Sequence, residues 1–424
     1  ALFDGQRMSK VRARAVVYAT GAIEQPAVFG HNDLPGVMLA SAAQRLARLY
    51  AVKPCERMVL LAANSEAYSA ALDMIAVGVE VAAIADLRPE GELSQLGREV
   101  ASAGVPIQRG YAIGEAVPNG AKSGLRAAVV APLNPNGQID TRRGEAIACD
   151  GIAVSVGWMP NSALLSQAGV KFSYDPELEQ LTPAAQPNGV FVAGRVRGVY
   201  DLDDQRADGY CQGLAAARYV GCYDGEVTEQ VESAKVAHSH PYPIFAHTGK
   251  KNFVDFDEDL HLADFVNAHQ EGYDSVELLK RYSTVGMGPS QGKLANMNAM
   301  RILARLNGDT IDETGSTTSR PFYQPVPLRQ LAGRRFHPMR RTAMHDWHAQ
   351  HDAQFYHAGD WYRPEYYRRA GAQRDECIVQ EAQQVRASLG PPSTKNDFGS
   401  LSWIYMGSDI KKTVFFGNPV FLII

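Results

Sequence analysis

Short runs of β-branched and aliphatic residues alternate with alanine-rich stretches over the first half of the chain. The runs at 13–18, 58–61, 79–85, 125–130, 151–156 and 190–192 predict strands, and the stretches at 40–49, 67–77 and 207–220 predict helices. Strands separated by helices favour a largely parallel sheet covered by helices, so 10–225 reads as one α/β region. Within it, 110–149 reads as a polar meander with turns at Pro118-Asn119-Gly120 and Asn134-Pro135-Asn136-Gly137. The texture changes over 226–250, which contains His238-Ser239-His240-Pro241-Tyr242-Pro243. Prolines there forbid a continuing helix, and the stretch predicts a linker. Helical patterning returns at 263–269, 275–280 and 296–306, predicting a compact domain over 251–335. Residues 331–390 are rich in Arg, His, Trp and Tyr, and a last domain is placed at 336–424. Past Gly390 the chain runs to an apolar end, Phe421-Leu422-Ile423-Ile424, read as one strand of a larger sheet or as a truncated or foreign end. There is no internal repeat.

A length of 424 residues suggests two or three domains at roughly 150 residues each. Hydrophobic residues at 45% and charged residues at 21% are ordinary for a globular protein with a sizeable core. The net charge of −4 argues against a general nucleic-acid binder, and no stretch reads as a membrane span or signal peptide. Five cysteines, Cys55, Cys149, Cys211, Cys222 and Cys377, form no CxxC pair, which fits a reducing, cytoplasmic setting better than a disulfide framework. The opening Ala1-Leu2-Phe3-Asp4 has no start methionine and reads like the interior of a strand-rich region, so the first unit of the first domain is expected to be missing.

Three turns at strand ends are candidates for dinucleotide chemistry, two of them bearing glycine. Val16-Val17-Tyr18-Ala19-Thr20-Gly21 runs a strand straight into Thr20 and Gly21, where glycine lets the backbone approach a dinucleotide and the hydroxyl can donate to it. Val190-Phe191-Val192-Ala193-Gly194-Arg195 ends a second strand ahead of a helix, and Arg195 suits a phosphate better than a flavin ribityl chain. A third unit, Met58 to Tyr68, then a helix, a strand and Asp86, has the layout of a βαβ unit with an acidic residue placed for a ribose hydroxyl. Its glycines are absent: Ala62 and Asn64 occupy the turn and the bulkier Glu66 and Tyr68 follow, so the fold of a nucleotide domain is expected with a lost or altered site. The alternative for the Thr20-Gly21 turn is a tight bend after a strand. Gly157, in Val156-Gly157-Trp158-Met159-Pro160-Asn161, marks a crossover between the two halves.

With Asp33-Leu34-Pro35-Gly36-Val37, these motifs resemble two-dinucleotide flavoprotein reductases. The run Leu279-Lys280-Arg281-Tyr282-Ser283-Thr284-Val285-Gly286-Met287-Gly288-Pro289-Ser290-Gln291-Gly292-Lys293, flanked by Phe253 to Asp259 and by Ser319-Arg320-Pro321-Phe322, closely resembles the alpha subunit of heterotetrameric sarcosine oxidase, over about residues 10–390. The resemblance implies an α/β fold: a reductase-like region lacking its first Rossmann unit, then a small mainly helical connecting domain, then the start of a folate-binding domain like the glycine-cleavage T protein. It implies NAD on the reductase region, FMN at the contact with a beta subunit, tetrahydrofolate on the last domain, and gamma and delta subunits completing the complex. It further implies sarcosine oxidation at the partner's FAD, with no catalytic acid or base from this chain, and cofactor contacts at Thr20, Gly21, Asp86, Gly157, Gly194, Arg195, Arg281, Thr284, Gly286, Met287, Gln291, Gly292, Lys293, Ser319 and Arg320. Related amine, opine or proline dehydrogenase complexes and a stand-alone NAD(P)H-dependent flavin reductase are the alternatives.

Read physically, Gly286, Gly288 and Gly292 are expected to leave backbone N–H groups pointing outward, with Arg281, Ser283, Thr284 and Lys293 as phosphate partners and the following helix N-terminus behind them. A glycine-rich bend ahead of a helix is the plainer alternative. No cysteine lies near the bend, so no iron–sulfur cluster is expected. Asp255, Asp257, Glu258 and Asp259 lack the spacing of a calcium loop and read as a helix N-terminal acidic cluster. His345, His348 and His351, with His337 and His357 nearby, suit a packed aromatic corner better than zinc. Arg334-Arg335 and Arg340-Arg341 read as a solvated face or subunit contact.

Overall fold

The computed structural model describes residues 2–389 apart from 5–6, 121–122, 228–232, 234, 250 and 334–337. The apolar tail, His337 and Arg334-Arg335 therefore lie outside the described residues. The chain divides into two compact units, 1–326 and 327–424.

In the first unit, a five-stranded parallel sheet runs in the order Val37–Leu39, Gly151–Ser155, Arg57–Ala62, Glu80–Asp86, Ile107–Arg109. Strand Arg57–Ala62 is buried on both faces and its side chains alternate between two cores. Met58, Leu60 and Ala62 face helices Ala40–Tyr50 and Glu66–Ala76, whose buried Ala43, Ala67, Ala70 and Ala71 allow close approach to the sheet. Val59 and Leu61 face the other way, onto Ile113, Ala116, Leu125, Ala128 and Val130.

That second cover is the stretch read as a polar meander. It forms a three-stranded antiparallel sheet of Tyr111–Pro118, Leu125–Pro132 and Glu145–Ala148. Its polar residues concentrate in the turns, while Ala112, Ile113 and Ala116 are buried. Helices therefore cover one side of the parallel sheet and an antiparallel sheet the other. A further parallel pair, Val16–Tyr18 with Val190–Val192, carries the two glycine turns at its ends, and helix Leu202–Tyr219 follows it. That helix begins five residues earlier than its apolar pattern suggests, because Asp201 caps it by accepting the Asp203 and Asp204 N–H groups.

The proline-rich stretch expected as a linker is packed in part. Val28 and Phe245 are joined by a backbone hydrogen bond of 2.7 Å, and Ile244 enters one core with Phe265, Leu279, Ile302 and Leu303. Prolines exclude a helix there without preventing burial. Helices Leu262–Gln270, Val276–Ser283 and Asn296–Asn307 lie where the sequence places them. In the second unit, strands Ala353–Ala358 and Trp361–Tyr367 form a hairpin, joined by the short strand Arg340–Arg341 and followed by helix Arg374–Leu389. Among the described residues no helix is long and apolar enough to cross a membrane.

Candidate functional site

The glycine turns at the ends of strands Val16–Tyr18 and Val190–Val192 both take positive φ, +73° at Gly21 and +79° at Gly194. A Cβ placed on either would meet nothing within 4 Å, so both backbones border open space. This is the geometry a close-approaching dinucleotide needs. Thr20 Oγ1 donates to the Asn161 carbonyl at 2.8 Å, and the Asn161 N–H donates to Gly21 O at 3.0 Å. The Thr20 hydroxyl expected to reach a ligand therefore locks the turn onto the crossover. Gly194 N–H donates to Asp208, which also holds Arg197 at 2.7 Å.

The second βαβ unit is closed to a dinucleotide. Asp86 is 0% exposed and accepts from the Tyr68 hydroxyl, from the Arg88 backbone N–H at 3.0 Å and from its guanidinium at 2.8 Å, with Arg109 at 3.5 Å. No oxygen is left at the surface for a ribose. Burial and the hydrogen bond to Asp86 push the Tyr68 hydroxyl up to about 12. In the glycine-less turn, Asn64 Oδ1 accepts the Glu66 N–H at 3.0 Å and Asn64 Nδ2 donates to His238 O at 2.8 Å, drawing the 238–240 segment over the turn. Gly157 lies against the same segment: a Cβ there would stand 2.9 Å from Ser239 Oγ, which accepts the Trp158 N–H.

At the carboxyl ends of Val37–Leu39 and Gly151–Ser155 lies a cleft of about 260 Å³ lined by Glu24, Ser41, Gln44, Glu66, Ser69, Ser155, Trp158 and Arg195. Two helix N-termini face it, each carrying a carboxylate where a pyrophosphate would lie. Glu24 accepts the Ser41 N–H at 2.8 Å, and Glu66 opens its own helix and pairs with Arg195 at 2.6 Å. Burial raises the pKa of Glu24, and of Glu66 against the opposing effect of Arg195. Arg195 also lies over the rings of Trp158 and Tyr200, at 5.1 and 5.2 Å, so its guanidinium is committed within the protein rather than to a phosphate. His238 stacks on Tyr200 at 4.0 Å, and burial with the nearby Arg195 and Arg88 charges pushes its pKa down to about 4.

The glycine bend differs from its expected form in one decisive respect. The Gly286 N–H donates to Asp255 Oδ2 at 2.8 Å, and the Ser290 N–H donates to Asp257 Oδ2 at 2.7 Å. Thr284 Oγ1 donates to Glu258 at 2.8 Å. The acidic cluster follows strand Phe253–Asp255 in a turn, not a helix N-terminus, and supplies the anions that the bend binds. Gly286 and Gly292 are required: each has positive φ, and a Cβ on either would collide with the Asn296 side chain.

Lys293 Nζ donates to Tyr323 O at 3.0 Å and lies 4.6 Å from the centre of that ring. Tyr323 Oη accepts from Asn161 Nδ2 at 2.6 Å. A continuous path thus runs from Lys293 through Tyr323 and Asn161 to Thr20, and Gln25 Nε2 donates to Lys293 O at 3.0 Å beside it. The structure brings Thr20, Gly21 and Lys293 together this way. Arg281, Thr284, Met287 and Gln291 stand on an exposed rim, and Arg281 lies 3.9 Å from Glu277. Ser319 and Arg320 belong to the segment leading to Tyr323, with Arg320 exposed. Tyr323 and Glu24 carry no sequence signal; Asn161, Trp158 and Glu66 lie inside recognised motifs, but their roles depend on distant partners.

In the second unit, His348 Nδ1 lies 2.5 Å from Tyr367 Oη and His351 stacks on Trp347 at 3.9 Å. Among the described residues no group of three or more His, Cys, Asp or Glu side chains could hold a metal ion.

Residues 249–334 match the family model of the sarcosine oxidase A3 domain. The sarcosine oxidase alpha subunit of Rhizobium meliloti (strain 1021) is 36% identical over 396 residues, covering 91% of this chain and 38% of that protein. The A subunit of opine oxidase from the same organism is 22% identical over 371 residues, covering 78% of each. Among solved structures, L-proline dehydrogenase from P. horikoshii superposes with a TM-score of 0.51 at 16% identity, over 74% of this chain and 57% of that one, a likeness of fold. The chain spans about two fifths of the length of the sarcosine oxidase subunits it matches.

Proposed function

Since this chain is a homologue of the sarcosine oxidase alpha subunits over nine tenths of its length, we propose that it serves as the alpha-type component of a multi-subunit oxidoreductase acting on the CH–NH group of sarcosine. The observation that carries the reading is the path from Lys293 through Tyr323 and Asn161 to Thr20, which fastens the glycine bend to the open Gly21–Gly194 edge as one body. A dinucleotide such as NAD fits that edge because both glycines let a ligand approach the backbone; it does not fit the Asp86 unit, whose donors and acceptors are taken. FMN carried at the contact with a beta subunit would meet the exposed rim. The Gly286 and Ser290 amides are engaged by carboxylates, so this chain offers a flavin phosphate side chains, Arg281 and Gln291, rather than a backbone cradle. Bound flavin supplies the electron-transfer chemistry, and this chain's part is to hold and shield it. Tetrahydrofolate belongs to the domain that begins in the second unit, and gamma and delta subunits complete the assembly, which we place in the cytoplasm.

A second reading, the alpha-type component of an opine-type oxidase, is favoured by the match that spans 78% of the opine oxidase relative. The two separate by substrate. Co-expression with the subunits encoded beside this chain should yield a yellow complex that reduces its flavin on adding sarcosine; reduction by an opine and not by sarcosine selects the second reading. Arg281→Ala with Gln291→Ala should lower flavin content by at least about half. Unchanged flavin content would remove the bend from the flavin contact.

A further inference from the structure

Lys293 closes the glycine bend, yet its contacts beyond the bend lie on the side of the dinucleotide edge. Its carbonyl accepts from Gln25 Nε2 at 3.0 Å, and Gln25, 1% exposed, donates its own N–H to Gly157 O at 2.8 Å. Its ammonium donates to Tyr323 O at 3.0 Å and stands 4.6 Å from the centre of that ring. An ammonium so engaged is turned toward Tyr323, whereas Arg281 and Gln291 stand on the exposed rim.

Tyr323 passes the restraint on. Its hydroxyl accepts from Asn161 Nδ2 at 2.6 Å, and Asn161 holds both residues of the Thr20-Gly21 turn. The Asn161 N–H donates to Gly21 O at 3.0 Å, its Nδ2 also reaches Thr20 O at 3.3 Å, and its carbonyl accepts from Thr20 Oγ1 at 2.8 Å. The pairing of strand Trp158–Pro160 with Ala22–Glu24 fixes the backbone leading into Asn161, while Tyr323 and Thr20 O orient its side-chain amide. Contacts to one residue thus hold a glycine at φ +73°, the conformation that leaves its backbone open to a ligand.

We propose that Lys293 is a positioning residue for the dinucleotide edge and not a flavin contact. Acting through Tyr323 and the Asn161 amide, it sets the Thr20-Gly21 turn and so the affinity of that edge for a dinucleotide. The inference rests on the reading of the Gly21–Gly194 edge as a dinucleotide site. Because Tyr323 conducts the effect, residue 293 should cease to matter to the edge once the Tyr323 hydroxyl is gone.

Calorimetric titration of NAD into the full chain and its variants tests this. Lys293→Met and Tyr323→Phe should each weaken NAD by about fivefold to tenfold, the size of one lost hydrogen bond. Lys293→Arg keeps a cation over the ring and should return most of the loss. The double variant Lys293→Met with Tyr323→Phe should bind as Tyr323→Phe does, because the path is already cut; a general loss of packing would instead add. Circular dichroism establishes that each variant is folded, and if Tyr323→Phe does not fold, the comparison of Lys293→Met with Lys293→Arg decides. No NAD binding by the unaltered chain would remove the dinucleotide reading and this inference with it. Unchanged NAD binding in folded Lys293→Met, losses that add in the double variant, or Lys293→Arg binding as weakly as Lys293→Met would overturn the inference and leave the dinucleotide reading standing.

Discussion

Glu66 stands at a helix N-terminus where small residues would admit a pyrophosphate, and its carboxylate and the Arg195 guanidinium satisfy one another with side chains 28% and 31% exposed. Glu66→Ala would leave that guanidinium against two aromatic rings without its anion, and we expect a loss of about 1–2 kcal/mol in urea unfolding. His238 gives a pH signature. Its pKa falls from 6.5 to about 4 on folding, so the unfolded chain binds the proton first. Its contribution is therefore intact above pH 6.5 and is lost as pH falls toward 4. Stability of the unaltered protein relative to His238→Gln should decline across that interval and stay level above it, read from denaturation midpoints at several pH values. Much at this scale was legible only as position. Asp86 and Gly194 lie at the strand ends that motif spacing indicates, but whether a carboxylate is free is decided by Tyr68, Arg88 and Arg109 around it, and spacing does not show this.

The bend and its acidic turn form a matched pair of elements. Asp255 is 2% exposed and accepts the N–H groups of Gly286 and Asp257. Asp255→Ala would leave two amides without acceptors, and the melting curve should register a cost of about 2–3 kcal/mol. Gly292→Ala adds a Cβ at φ +73° against Asn296, and about 2–3 kcal/mol is expected. Adding Asn296→Ala removes the collision and should return part of that loss, leaving about 1 kcal/mol from the backbone. The bend's glycines and the helices around it follow from sequence pattern, as does each strand of the parallel sheet that has a long apolar run. The internal anions did not, because acidic residues after a short strand resemble a helix start until their partners, about thirty residues on, are placed. The 110–149 sheet was similarly hidden: alanine and glycine at its inward positions depress the apolar signal that burial needs.

At the scale of the molecule, the first unit joins the parallel sheet and an A3-type helical region through the Pro26–Val28 segment, where Asn298 Nδ2 donates to Pro26 O at 2.8 Å and Val28 enters the helical core. The notional linker is part of that joint, which explains why compactness groups 1–326 together. A body built this way holds one side of the bend against the Gly21–Gly194 edge and leaves the other open, with Arg281 72% and Met287 50% exposed. Hydrogen–deuterium exchange of this chain with and without the flavin-bearing partner proposed for it tests that arrangement directly. The account predicts new protection concentrated in the peptides covering 278–293 on complex formation. Protection confined to the 110–149 sheet, with 278–293 exchanging as in the free chain, would contradict it.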